Sequence, residues 1–452
     1  MDYKLFAKET LPTLLKSLKE WINIPSVFDE STIKEGQPFG KDVKDALNYI
    51  ADLARKDGFS VDTCDGYATE ISFGEGEDLV MVLGHCDVVP IGTGWDLDPY
   101  LGEVVNGEVY GRGSGDDKGP TLCAYYALKY LKDNCPQIKK RFRLVVGGNE
   151  ERGSACLHHY FHVLNKEHPT YGFTPDADFP VVYGEKGIMN FVYTGKLEDE
   201  KIIYLDGGVA ANSVPDFAKV VIKGKIGVKE QFNKFLTDNK LVGEYEENEN
   251  TTIVVRGKLA HGAMPFLGVN AVVYLLSFLS TVLENKAIKY YANALSDCYG
   301  KNLDVDVDGE KMGKLTMNVG LAHIENDEYN FVLNIRYPID VTGEEITAKL
   351  SEKAFDEGKC ISDSKPLYVD PNSPFIKALM AAYVNNTGDN VSKPLTIGGG
   401  TYARETINSV AFGMGFPGQD ELAHQANERI SVKNLELGLA IYLEALMGVG
   451  DL

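Results

Sequence analysis

The stretch "GRGSGDDKGP", residues 111–120, sets glycines at 111, 113 and 115 and follows them at once with Asp116 and Asp117. Glycines so spaced can turn backbone N–H groups toward a phosphate, as nucleotide-binding α/β folds do. Two carboxylates at the mouth would repel that anion, and the spacing departs from GxGxxG by one residue. The same carboxylates attract a divalent cation. The reading therefore moves from a nucleotide fold to a metal-dependent one, in which the glycines permit a tight turn that carries Asp116 to an ion.

The flanking sequence supports an α/β sheet covered by helices. "DLVMVLGH" (78–85) reads as a buried strand, "GPTLCAYYALKYLKDN" (119–134) as a helix with Pro120 in its first turn, and "RFRLVVGGNEE" (141–151) as the next strand. The middle third has an α+β character. "TTIVVRGKLAHG" (251–262) reads as a strand entering a loop, and "GVNAVVYLLSFLSTVLEN" (268–285) as a helix. "YNFVLNIRYPID" (329–340) alternates like a half-exposed antiparallel strand. "TGEEITAKLSEKAFDEG" (342–358) reads as a helix capped by Thr342. No repeat, low-complexity tract or Pro-rich linker marks a boundary.

Composition narrows the function class. The 452-residue chain is long enough for two or three domains, and its 44% hydrophobic and 25% charged residues are those of a globular protein. A formal charge of −21 opposes a nucleic-acid partner and an anionic membrane. The first 26 residues have helical spacing with interspersed charges and no signal-peptide core, and no apolar run approaches the ~18 residues of a membrane span. Seven scattered cysteines without CxxC spacing suit free thiols in a reducing compartment, so a cytoplasmic protein without a cysteine-based zinc site is expected.

Ligand-type residues gather at strand ends and loops. "GHCDVVP" (84–90) sets His85 and Asp87 two apart, on one face of an extended chain, where a carboxylate can hold one imidazole nitrogen while the other binds a metal. Alone, such a pair is more often a capped turn than a site. "GGNEERG" (147–153) brings adjacent Glu150 and Glu151, which repel unless a cation or shared proton lies between them, although an isolated pair is usually solvated. "GFTPDADFPVVYGEKG" (172–187) offers Asp176 and Asp178, and "QDELAHQANERIS" (419–431) offers His424 just before the final helix. Two histidines and three carboxylates without cysteine suit a pair of Zn²⁺ or Mn²⁺ ions sharing one bridging carboxylate. Such pairs sit ~3.5 to 4 Å apart and activate water for hydrolysis.

The motif series "GHCDVVP", "GRGSGDDKGP", "GNEERGS", "PDADFPVVYGEKG", "AHGAMPFLGVNA", "IGGGTYAR" and "HQANE" resembles that of the dizinc metallopeptidases, the family of aminoacylases, carboxypeptidases and carnosinase. Order and length are most similar to the PepV dipeptidase branch, from about residue 5 to the end. The resemblance implies a mixed-sheet, zinc-peptidase-like α/β catalytic domain with an inserted α+β lid domain. It implies that His85 and Asp176 hold one ion, that Glu151 and His424 hold the other, and that Asp116 bridges them with a cis peptide to Asp117. Asp178 stays open as the alternative to Asp176. Asp87 would orient the His85 ring, and Glu150 would be the general base. His261 would donate to the oxyanion, while Asn212, Arg336 and the backbone of Gly398, Gly399 and Gly400 would steady the substrate. An arginine can clamp a C-terminal carboxylate through two hydrogen bonds. Without the other motifs, His261 could equally cap a turn and the three glycines form a flexible one.

Because His85 to Asp176 and His424 must meet, residues 186–384 are expected as an insertion between catalytic segments 1–185 and 385–452. The expected cofactors are two divalent ions, zinc first and manganese or cobalt next, and the expected partners are small peptides. A long lid that replaces the second subunit of dimeric relatives would make the protein a monomer. The leading expectation is a dipeptidase. An N-acyl amino acid amidohydrolase and a non-catalytic metal-binding relative are the alternatives. A glycosidase is disfavoured, because its carboxylates must face each other ~5 to 9.5 Å apart across a sugar, which sequence neighbours rarely do.

Overall fold

The computed structural model describes residues 2–420 and 422–452. The chain divides into two compact units. One contains the residues up to Gly184, Tyr368–Leu395 and Thr401–Leu452. The other contains Glu185–Leu367 and the short run Thr396–Gly400. The insert expected over 186–384 therefore ends earlier, at Leu367. Helix Pro374–Thr387 belongs to the first unit because it buries Phe375, Ile376, Leu379 and Tyr383 in that unit's core. The second difference is the run Thr396–Gly400, inside the segment expected to be catalytic, which clusters with the second unit.

In the first unit, strands Ser60–Asp62, Ala68–Phe73, Arg141–Gly147, Leu79–His85, Tyr171–Thr174 and Ser409–Ala411 lie side by side in that order. The four from Arg141–Gly147 onward pair in parallel, and the first two join antiparallel, so the sheet is mixed. Every residue of Leu79–His85 is buried, which explains its unbroken apolar run. Helix Lys118–Asn134 carries the chain from Leu79–His85 to the parallel neighbour Arg141–Gly147, and packs against helices Tyr3–Ile22 and Val432–Gly450. The next parallel strand, Tyr171–Thr174, lies on the opposite side of Leu79–His85. The strand order thus reverses at Leu79–His85. In open α/β sheets, the carboxyl ends of strands at such a reversal leave a crevice between diverging connections, where ligands bind.

The second unit is built on an eight-stranded sheet in which every neighbouring pair is antiparallel. Helix Ala271–Val282 starts where Asn270 accepts N–H bonds from Val272 and Val273, and it buries Val272, Leu275, Leu276 and Leu279. Strand Glu328–Tyr337 alternates in exposure only at its start. It pairs on both sides, with Thr316–Glu325 and Gly187–Lys196, and is buried from Leu333 to Tyr337. The helix capped by Thr342 has a full capping box with Glu345, yet runs only over Gly343–Glu352. The rest of the expected helix turns into strand Glu357–Ser364, whose polar residues sit on an exposed sheet edge.

Candidate metal centre

Three parallel strands end together, and each delivers part of the site. His85 is the last residue of Leu79–His85, Glu150 and Glu151 follow Arg141–Gly147, and Asp176 follows Tyr171–Thr174. Asp116 comes from the glycine-rich turn before helix Lys118–Asn134, and the Asp116–Asp117 peptide is cis. His424 comes from the loop before the final helix, with φ +64°.

The two oxygens of Asp116 face two different imidazoles. Oδ1 lies 3.0 Å from His85 Nε2, and Oδ2 lies 3.1 Å from His424 Nε2. Asp176 Oδ2 is 3.6 Å from His85 Nε2, and Glu151 Oε2 is 3.0 Å from His424 Nε2. The result is two three-residue groups, His85–Asp116–Asp176 and Asp116–Glu151–His424, each with ligand atoms within 4.8 Å of one another and with Asp116 common to both. Asp178 is exposed and its carboxylate is directed at Gly415, whereas Asp176 joins the cluster.

His85 is fully buried, and its Nε2 makes no hydrogen bond although carboxylates surround it. Its Nδ1 lies 3.0 Å from the main-chain oxygen of Asp87, which can only accept, so Nδ1 carries the proton and donates. In the neutral ring the Nε2 lone pair then points at Asp116 and Asp176, the tautomer a metal ligand needs. This corrects one detail of the expectation. The backbone of Asp87 makes the hydrogen bond that sets the ring, while the Asp87 carboxylate is 3.6 Å from Nδ1 and accepts the N–H groups of Glu150 (3.0 Å) and Glu151 (3.2 Å).

The titration behaviour follows from crowded negative charge. Burial pushes the Glu150 carboxyl well above its ordinary range against the attraction of His85, and repulsion from Asp176, Glu151 and Asp87 adds to the rise. Burial, with repulsion from Asp116, also raises Asp176 and Glu151, whereas for Asp116 burial is outweighed by a hydrogen bond from His424 and the attraction of His85, and its carboxyl is lowered. Hydrogen bonds to Asp116 and Glu151 push His424 up to about 10. For His85, burial opposes the charge, but Asp116, Asp176 and Asp87 outweigh it and the ring rises well above its usual value. A cation among these groups would relieve the crowding of negative charge. An unsatisfied ring nitrogen, two imidazoles and three carboxylates form a donor set that fits two divalent ions of the Zn²⁺ or Mn²⁺ type.

A model of the peptidase family M20/M25/M40 matches residues 81–448. The chain belongs to this family. A protein of Staphylococcus haemolyticus, SH1171, and YtjP of Bacillus subtilis, both provisionally named dipeptidases, are similar to this M20 peptidase. The first is 38% identical over 453 residues and the second 37% over 449, with 96% of both chains covered in each comparison. The fold is similar to that of the di-peptidase Dug1p from Saccharomyces cerevisiae, with a TM-score of 0.58, 16% identity, and coverage of 100% of this chain and 98% of the other. As a member of this family the chain is a peptide-bond hydrolase.

The remaining expected residues of this M20 peptidase all lie on the second unit, and they gather at one place on it. The backbones around Asn212 and His261 meet, with Gly262 N–H bonded to Asn212 O at 2.7 Å. His261 Nδ1 accepts the Ala263 N–H at 3.2 Å, which leaves Nε2 as the protonated nitrogen of the neutral ring. Ala263 in turn packs on Gly398, where a side-chain Cβ would come within 2.9 Å of it. Arg336 is buried and donates from Nε to Asn334 Oδ1 at 3.0 Å and from Nη1 to the Gly398 carbonyl at 2.7 Å. Two nitrogens of the Arg336 guanidinium are therefore engaged within the unit.

Other residues complete the first unit's site. Asp117 is buried, and its Oδ2 accepts the His85 N–H at 3.2 Å and the Thr121 hydroxyl at 2.7 Å. The Tyr402 ring stands edge-on to His85 at 5.8 Å. The glycine turn corrects its own reading. It does present N–H groups to an anion, and that anion is the carboxylate of Glu428, which accepts from Gly113, Gly115 and Asp116. Glu428 stands in the quoted "HQANE", but nothing in the motif distinguishes a buried carboxylate from a solvated one.

Proposed function

We propose that the chain is a dipeptidase that hydrolyses short peptides carrying a free N-terminus, with two divalent ions held by His85, Asp116, Glu151, Asp176 and His424. The observation that carries the reading is Asp116, whose two oxygens face one imidazole in each of two ligand groups. Such ions polarise a carbonyl and lower the pKa of water, zinc being the first choice and manganese or cobalt the next.

The chain's own residues do the rest. Glu150 takes a proton from the attacking water at its carboxylate and returns it to the leaving amine. Asp87 acts on the two glutamates through their backbone, so that Glu150 and Glu151 keep separate roles although they adjoin. His261, with its proton on Nε2, supplies the oxyanion donor. Asn212, Arg336 and the backbone of Gly398 to Gly400 orient the peptide. His261→Ala is expected to lower kcat by ~10²- to 10³-fold with metal content unchanged. Loss of metal in that variant would show that His261 has another role.

A monomer is proposed because the insert from Glu185 to Leu367 is long enough to supply these substrate contacts from the same chain. Cytoplasmic placement is supported by seven unpaired cysteines, and no described helix is long and apolar enough to cross a membrane. The deciding experiment is metal analysis with hydrolysis of dipeptides, tripeptides and N-acyl amino acids. Removal of ions by a chelator is expected to abolish dipeptide hydrolysis, and Zn²⁺, Mn²⁺ or Co²⁺ to restore it. Preferential turnover of N-acyl amino acids would move the assignment to an amidohydrolase. Tightly bound ions with no turnover of any substrate would leave a non-catalytic relative.

A further inference from the structure

Glu428 is a carboxylate buried at 1% exposure, four residues beyond His424, where residues 422–427 are exposed or half-buried. Burying an unpaired charge costs so much that such a group persists only with full compensation. Here the compensation comes entirely from the glycine turn. Oε1 accepts the N–H groups of Gly113 (3.0 Å), Gly115 (3.0 Å) and Asp116 (3.2 Å), and Oε2 accepts from Arg112 Nη1 at 2.7 Å. The main-chain oxygen of Glu428 also accepts the Gly111 N–H at 3.1 Å. The turn reaches this shape through Gly113, at φ +85°, where the left-handed backbone suits glycine.

The arrangement is an anion nest of successive backbone N–H groups, filled by the chain's own carboxylate instead of a phosphate. It extends the tie made by the adjoining antiparallel strands Glu108–Tyr110 and Arg429–Ser431 into the two irregular segments that carry the ligands. One carries Asp116, which faces both imidazoles, and the other carries His424, whose side chain is 56% exposed and so receives little packing support. Arg112 closes the far side of the nest, stacked over Trp95 at 5.2 Å with Nη2 toward the Pro90 carbonyl. Asn427 adds a second tie, accepting the Asp96 N–H at 2.9 Å.

We infer that Glu428, paired with Arg112, is a positioning residue that locks the Asp116 turn to the His424 loop and so preforms the site where two divalent ions bind. The inference rests on the metal-centre reading above. Glu428 touches neither ion nor substrate. Its effect passes through the backbone N–H of Asp116 and through the short tether to His424.

The test compares wild type with Glu428→Gln, which keeps the volume but removes the charge and turns an amide N–H₂ toward either Arg112 or the three backbone donors. Zn²⁺ binding would be measured by calorimetry and by equilibrium dialysis, and the Co²⁺-loaded absorption spectrum recorded, on protein shown to be folded by circular dichroism. The expected result is a 10- to 100-fold loss of ion affinity with shifted Co²⁺ bands. A folded Glu428→Gln that binds ions as tightly as wild type, with the same spectrum, overturns the inference alone. Wild type that binds no ions overturns the dipeptidase reading and this inference with it. Should Glu428→Gln not fold, Glu428→Asp carries the same test, because its retracted carboxylate cannot span both Arg112 and the three N–H groups. Failure of both variants to fold would assign Glu428 to the fold and overturn the inference.

Discussion

Glu150→Gln is expected to lose about 10²- to 10⁴-fold in kcat while keeping both ions, because general acid–base transfer contributes on that scale. The residue is suited to such a test for a structural reason. Its backbone N–H is held by Asp87 Oδ1, so replacing the side chain leaves the main chain in place. Its carboxyl is outside both three-residue ligand groups, while Glu151, one residue on, is inside one of them. Metal analysis and steady-state kinetics on the same preparation check the prediction. Retained turnover near the wild-type rate would remove Glu150 from the proton-transfer role. Loss of ions would move it among the ligands.

Asp116→Ala is expected to be more severe, with both ions lost together and activity reduced to background. Each of the other four ligand residues belongs to one group, and Asp116 alone belongs to both. Removing it takes a charge from each group and leaves His85 Nε2, already buried without a hydrogen bond, further from any partner. His424→Ala, by contrast, should weaken one ion more than the other. Stoichiometry measured by dialysis separates the outcomes. Retention of one tightly bound ion in Asp116→Ala would mean that the two groups do not share this carboxylate.

Much of the first unit was legible from residue pattern. A buried parallel strand needs apolar residues on both faces, so Leu79–His85 stood out as a continuous run, and the helix that follows the glycine turn announced itself by Pro120 in its first turn. The ligand candidates were legible for the same reason that they are costly. Carboxylates and histidines at the ends of buried strands require a partner, and a cation is the partner that several of them can share. In the second unit the capping box at Thr342 was readable, whereas the end of its helix was not. Residues 353–356 form a turn, and pairing of Glu357–Ser364 along Gly187–Lys196 takes the last two residues of the expected helix into a strand.

Other features depend on atoms brought together from far apart in the chain. Arg336, which the resemblance implies as a substrate-steadying residue, is buried and bonded to Asn334 and Gly398. The run Thr396–Gly400 is short and polar, and its membership of the second unit could not be read locally. The glycine turn is the plainest case. Of its two aspartates, Asp116 joins both ligand groups, but the anion its N–H groups do bind is supplied more than three hundred residues later, by Glu428.

Sequence by itself determined the chemistry on offer: which strands must be buried, and which acids and imidazoles stand at their ends, because hydrophobic periodicity and ligand type are properties of neighbouring residues. Tertiary structure alone decided how those groups are shared, with Asp116 placed between two histidines, Asp87 gripping the glutamates by their backbone, and Glu428 filling the glycine nest. The reason is physical. A buried charge is tolerable only where donors converge on it from several directions, and that convergence exists only once distant segments have packed together.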